Sequence, residues 1–176
     1  MNNLFNFILF QIGWLLCVQP AAHGNLWLGP LAALGLAGMH VACARSGARK
    51  RYAVWLVAVA TLGWSMDSGL KALGVTSYPT SPGALAPVWI WSLWLLFATT
   101  AHHSLRWLQG RTLLAIALGF VGGPLAYWSG VRLGATGFAH APAYSLGFLG
   151  LEYALVTPLV LASAKRHAAP NQVSRA

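Results

Sequence analysis

The chain has 176 residues, of which 57% are hydrophobic and only 7% charged, with a mean hydropathy of +0.62. That composition excludes a water-soluble domain with a buried core and indicates a chain whose solvent is lipid. The formal net charge of +9 does not indicate nucleic acid, because the basic residues cluster in short connections between apolar runs, where they encode membrane orientation.

Six apolar segments follow one another, each close to the roughly 20 residues a helix needs to cross a bilayer. The first covers residues 4–22. No Lys or Arg precedes it and Ala21-Ala22-His23 is a poor cleavage site, so it is expected to be retained rather than removed as a signal peptide. The second covers 26–44 and is followed by Arg45, Arg49, Lys50 and Arg51, the densest basic run. The third covers 52–73 and leads into a Pro/Gly/Ser/Thr-rich loop at 74–86. Pro87 opens the fourth, to 105, at a first-turn position where proline is tolerated. A basic link at 106–111 precedes the fifth segment, 112–133, and the sixth covers 143–164.

With the N-terminus inside, the cytoplasmic side receives Arg45, Arg49, Lys50, Arg51, Arg106, Arg111, Lys165, Arg166 and Arg175, and the outer side only Lys71 and Arg132. This positive-inside bias predicts an all-α, polytopic bundle of six transmembrane helices with both termini cytoplasmic. Residues 1–166 form the membrane domain and 167–176 a polar cytoplasmic tail. Cys17 and Cys43 fall near opposite faces, roughly 20 Å apart at helical rise, too far for a disulfide.

Lipid supplies no hydrophobic drive between helices, so small-residue stripes are expected to bring them together. Gly119 and Gly123 form a GxxxG in the fifth segment, continued by Gly122, Ala126, Gly130 and Gly134; Pro124 predicts a kink or local unwinding there. Weaker stripes are Gly35, Gly38 and Ala42 in the second segment and Gly150 and Ala154 in the sixth. Tryptophans 27, 55, 89, 91, 107 and 128 sit near segment ends, as an interfacial belt requires, whereas Trp14, Trp64 and Trp94 lie deeper and are expected to pack inside or line a pocket.

The chain has only two acidic residues, Asp67 and Glu152, and both fall inside apolar runs. An ionisable group at membrane depth is costly and marks a candidate functional site. Asp67 lies roughly 9 Å and Glu152 roughly 13 Å below the outer ends of their helices. Lys71 follows Asp67 by four residues, on the same helix face and in the right order for a pair. Arg132 ends the fifth segment on the same side. Two readings follow. In the plainer one, Asp67 and Lys71 form a local pair and Glu152 is protonated or bonded to a neighbouring helix. In the other, Asp67, Lys71, Arg132 and Glu152 line an outward-facing polar pocket with Tyr127, Gln11 and Gln19. His40 and either His102 or His103 share a depth at the inner side, but no carboxylate stands there to support a haem or metal. No metal or cofactor is expected. Catalytic signatures such as GxSxG, HExxH or a Walker loop are absent, and no catalytic residue is assigned.

The strings Asn6 to Trp14, Pro87 to Phe97, and above all Gly122-Gly123-Pro124-Leu125-Ala126-Tyr127-Trp128-Ser129-Gly130 resemble a bacterial inner-membrane family known as domain of unknown function 2878. The resemblance covers nearly the whole chain. It implies a multi-pass protein of the bacterial inner membrane, with membrane lipids and a lipid-modifying enzyme as partners, and carries no catalytic residues. The function expected is that of a lipid-linked accessory or ligand-binding protein. The alternatives are a proton-coupled carrier of a small solute and a membrane enzyme acting on fatty acyl chains.

Overall fold

The computed structural model describes residues 2–168. Six helices follow in order: α1 (Asn3–Ala22), α2 (Leu28–Ala42), α3 (Arg49–Ala72), α4 (Val88–Ala101), α5 (Thr112–Leu133) and α6 (Pro142–Ala168). Two short strands, β1 (Thr76–Ser77) and β2 (Gly137–Phe138), lie in the connections after α3 and α5. The helices α1, α3, α5 and α6 are long and apolar enough to cross a membrane; α2 and α4, at 15 and 14 residues, are shorter.

Helix boundaries depart from the expected segments where side chains compete for the backbone. At the start of α2, Asn25 Oδ1 accepts the amides of Trp27 and Leu28 at 3.3 and 3.2 Å, which delays the helix to Leu28. At the end of α4, Gln109 Nε2 donates to the Ala101 carbonyl at 2.8 Å, and Asn6 Oδ1 accepts from Ser104 N and Oγ at 3.2 and 2.7 Å. Residues 102–105, expected in the helix, are thereby turned out of it. In the other direction, α6 continues beyond 164, placing Lys165, Arg166 and His167 in its last turn, where cations suit the helix dipole. The expected polar tail falls, from residue 169 on, outside the described residues.

α4 is the central helix: it packs on α1, α2 and α3, and 10 of its 14 residues are buried. α5 and α6 form a tight pair that meets α1 and α4 only lightly. The outer surface is apolar, with Leu31, Leu113, Leu155 and Leu159 each at least 65% exposed. A soluble protein does not expose so continuous an apolar surface.

The bundle has two chemically different ends. At one, β1 and β2 pair antiparallel, with Thr76 opposite Phe138 and Ser77 opposite Gly137, and Thr80 Oγ1 donates to the Ala21 carbonyl at the end of α1. At the other, Asn6 meets His40 and Ser104, and Arg51 donates to the His167 carbonyl. The links carrying Arg45, Arg49, Lys50, Arg51, Arg106 and Arg111 lie at this second, basic end.

The strand pair was not expected, but a repeat in the sequence encodes it. Leu73-Gly74-Val75-Thr76-Ser77-Tyr78 and Leu133-Gly134-Ala135-Thr136-Gly137-Phe138 occupy equivalent places after α3 and α5. Gly74 (φ +70°) and Gly134 (φ +85°) turn the chain out of each helix through a conformation that suits glycine. A Cβ on Gly137 would lie 2.6 Å from Ser77 Oγ and so would require that hydroxyl to turn aside.

The small-residue stripes hold in part. A Cβ at Gly119 or Gly123 would run into Tyr153 of α6, and one at Gly150 into Phe120, so the α5–α6 contact is built on these glycines. Gly35 and Gly38 meet nothing and Ala42 is exposed; the packed face of α2 is instead Gly29, Ala33 and Ala37, with Gly29 against Cys17. α5 runs unbroken through Pro124.

Candidate functional site

The site begins at a glycine. Gly63 leaves room for the Trp94 indole to lie on α3, since a Cβ there would come within 2.0–2.5 Å of three ring atoms. One turn later, at Asp67, the same indole donates from Nε1 to Oδ2 at 2.6 Å. Tyr127, arriving from α5, donates its hydroxyl to Oδ1, and the Tyr78 hydroxyl stands 3.2 Å from that of Tyr127. Asp67 is fully buried, and Tyr78 and Tyr127 nearly so. A carboxylate is thus held by two donors from two other helices, with no cation among the described residues within ion-pair distance.

The expected Asp67–Lys71 pair does not form. Lys71 turns to the connection after α3, where its ammonium donates to the carbonyls of Ser81 at 3.1 Å, Leu85 at 2.9 Å and Gly83. Three carbonyls of a tight loop converge on one point and satisfy all three ammonium donors. Arg132 is exposed on α5 and does not reach Asp67. Glu152 is buried on the α6 face that also carries Ser145, Leu149 and Val156, and both of its carboxylate oxygens lack a hydrogen-bond partner among the described residues. Of the four charged residues expected to share one pocket, Asp67 is hydrogen-bonded, Lys71 is bound by a loop, Arg132 is at the surface, and Glu152 is buried without a hydrogen-bond partner among the described residues.

Asp67 instead borders a groove of about 450 Å³ between α1 and α5, floored by α4. Phe7, Phe10, Gln11, Trp14 and Val18 line it from α1; Leu118, Gly119, Gly122 and Gly123 line it from α5. Trp89, Trp94 and Phe97 form the floor, and Tyr153 reaches in from α6, stacked on Trp94 with ring centroids 5.1 Å apart. The groove extends from Ser104 and Leu108 near the basic end to Thr136 near the strands. Its volume falls within the roughly 300–1,000 Å³ of small-molecule sites. Asp67 is its one charged lining residue: no Lys, Arg or His borders it among the described residues. Gln11 and Tyr127 line this cavity; Lys71, Arg132, Glu152 and Gln19 are not among its lining residues.

One tryptophan departs from the expected interfacial pattern. Trp27, Trp107 and Trp128 are exposed near helix ends, but Trp89 is 1% exposed and belongs to the groove floor. Trp64 packs inward and donates to the Ala86 carbonyl at 2.7 Å, closing the loop that Lys71 holds.

At the basic end the histidines split. His103 stands against His40, ring centroids 5.1 Å apart, while His102 turns into Tyr52, Trp55 and His167. His167, expected in the polar tail, is part of this aromatic cluster. Among the described residues, no group of three or more His, Cys, Asp or Glu has the arrangement of a metal site.

Residues that composition and spacing left out are Tyr78 and Tyr153. Tyr78 lies in the loop that read only as Pro/Ser/Thr-rich, and its one signal is the repeat that aligns it with Phe138. Tyr153 was hidden beside Glu152, and its one signal is the glycine pair of α5 that accommodates its ring.

No curated protein and no solved structure matches the chain. Residues 3–159 match the model of the family described as protein of unknown function (DUF2878). That match spans α1 through most of α6, including Asp67, Trp94, Tyr127 and Tyr153, and the chain belongs to this family.

Proposed function

We propose that the protein is a six-span inner-membrane binding or accessory protein that holds the apolar chain of a membrane amphiphile in the groove between α1 and α5. The observation that carries this reading is the groove itself. It runs along the bundle, is lined by aromatic and aliphatic side chains, and opens sideways beside the exposed Leu and Phe surface that faces lipid in this reading. A ligand with a long apolar body enters such a groove from the bilayer without crossing water. α4, too short to face lipid along a whole span, is enclosed by other helices and so crosses as part of the protein interior. With the basic links on the cytosolic side, as their charge favours, the strand end and Asp67 near it lie in the outer half of the membrane in this reading.

Gly122 gives the test. It borders the groove, and a Cβ there meets nothing within 4 Å. A side chain there starts in open space, so Gly122→Phe is expected to narrow the groove. Native mass spectrometry of the protein released from nanodiscs of bacterial lipid is expected to show a retained amphiphile on the natural chain and its loss from Gly122→Phe. Equal retention by both chains overturns the reading.

A further inference from the structure

The cations of the basic end fall into two groups. Arg49 donates to the carbonyls of Ala42 and Ala44 at 2.7 and 3.1 Å, closing the end of α2, and Arg51 donates to the His167 carbonyl at 2.9 Å. The Arg111 guanidinium lies 5.7 Å from the centre of the Trp107 ring. These three are engaged within the protein. Lys165 and Arg166, in the last turn of α6, instead border a second cavity of about 430 Å³.

That cavity lies between the end of α6 and the link that enters α5, with apolar walls from Leu108, Ala115, Pro158, Leu161 and Ala162. Gly110, at φ +86°, turns the link past Lys165, whose Nζ is 3.4 Å from where a Cβ on that glycine would stand. Thr112 also borders the cavity, at the start of a helix with no acid in its first turn, so the helix dipole adds to the positive field. No acidic side chain offsets that field. Of the two in the chain, Asp67 lies toward the strand end, and Glu152 precedes Lys165 on α6 by roughly 20 Å at helical rise.

The apolar walls continue onto the outer surface: Leu113 and Leu159, each next in sequence to a lining residue, are 83% and 65% exposed. Two cations beside apolar walls, at the edge of a lipid-facing surface, suit an amphiphile whose head is a net anion. A zwitterionic head brings an ammonium to which the lining residues offer no carboxylate. A soluble phosphate leaves the apolar walls uncovered.

We infer that the cavity between α5 and the end of α6 binds an anionic phospholipid, its headgroup phosphate between Lys165 and Arg166 and its acyl chains along Leu113 and Leu159. This rests on the membrane reading of the bundle but not on the groove, with which the cavity shares only Leu108.

The test places the full chain in nanodiscs of equal parts phosphatidylglycerol and phosphatidylethanolamine with the same acyl chains. Native mass spectrometry then counts the lipids kept on release. The natural chain is expected to keep phosphatidylglycerol about fivefold or more over phosphatidylethanolamine. Lys165→Gln combined with Arg166→Gln should bring that ratio close to one; both positions are exposed, and an unchanged helical circular dichroism spectrum checks the fold. Arg45→Gln combined with Lys50→Gln removes the same charge from the same end outside the cavity and should leave the ratio as it was. Inorganic phosphate, added at millimolar concentration before release, should displace no lipid. Equal retention of the two lipids by the natural chain, a ratio that survives loss of Lys165 and Arg166, or one that falls equally with Arg45 and Lys50 overturns the inference. Displacement by inorganic phosphate does so too, assigning the cavity to a soluble anion. Gly122→Phe separates the two sites: loss of the ratio in that variant puts the anionic lipid in the groove and overturns the inference, whereas an unchanged ratio with unchanged total lipid removes the groove reading alone.

Discussion

Asp67 on α3 and Glu152 on α6 are both buried between apolar helices, yet their surroundings differ. Asp67 receives an indole N–H and a phenolic hydroxyl from two other helices, and borders the groove. Glu152 has no partner for either oxygen among the described residues and is not one of the groove's lining residues; it is buried on a face shared with Leu149 and Val156. A buried polar group with partners is fixed in position; one without partners costs stability. One acid is therefore built into the architecture, and the other is tolerated by it.

The sharpest way to break that comparison is to remove each acid in turn. Asp67→Ala leaves the Trp94 N–H and the Tyr127 hydroxyl buried without an acceptor, at roughly 1–3 kcal/mol for each. A loss of ~2–6 kcal/mol is expected in denaturant unfolding of the detergent-solubilised protein, the largest single effect at this site. Asp67→Asn keeps one acceptor and should lose about half as much. If Asp67→Ala unfolds with the natural chain, the two donors are satisfied some other way and Asp67 is not a structural centre.

Glu152→Met should act with the opposite sign. It exchanges a buried, unpartnered carboxyl for an adaptable apolar side chain, so stability should rise by about 1 kcal/mol or stay level. A loss of more than ~2 kcal/mol in the same assay would mean that Glu152 is held by a group outside residues 2–168, and the contrast with Asp67 would disappear.

Sequence exposed this arrangement unevenly, for physical reasons. Apolar run length revealed six helices, because lipid and bundle interior both demand it, and the basic links marked one end. Helix ends at Leu28 and Ala101 were missed because they are decided by side chains acting on backbone groups, Asn25 at the first and Gln109 with Asn6 at the second. Asp67, Tyr127 and Gln11 were identifiable as polar residues in apolar runs. Their partners were not: helical spacing offered Lys71 to Asp67, but spacing cannot show that a loop ten to fourteen residues on presents three carbonyls to the same ammonium. Gly63 is the instructive case. It read as an ordinary member of an apolar run, while its role is to let an indole from another helix reach an acid one turn away.

The mildest test concerns how far the ordered network around Asp67 extends. Tyr78 contacts Tyr127 hydroxyl to hydroxyl at 3.2 Å, longer than the 2.5–3.0 Å usual for such bonds. Its ring, however, is fixed independently, edge-on to Trp89 with centroids 5.8 Å apart and beneath the Lys71 ammonium at 5.4 Å. Tyr78→Phe keeps these ring contacts and removes only the hydroxyl, so a cost of about 0.5–1 kcal/mol is expected. Because Tyr127 gives its proton to Asp67, the Tyr78 hydroxyl acts on the acid only through Tyr127. A double-mutant cycle of Tyr78→Phe with Asp67→Asn should then show a coupling that is non-zero but smaller than that of Tyr127→Phe with Asp67→Asn. Equal couplings would place Tyr78 directly on the carboxylate; zero coupling would end the network at Tyr127 and leave Tyr78 as a packing residue of the loop.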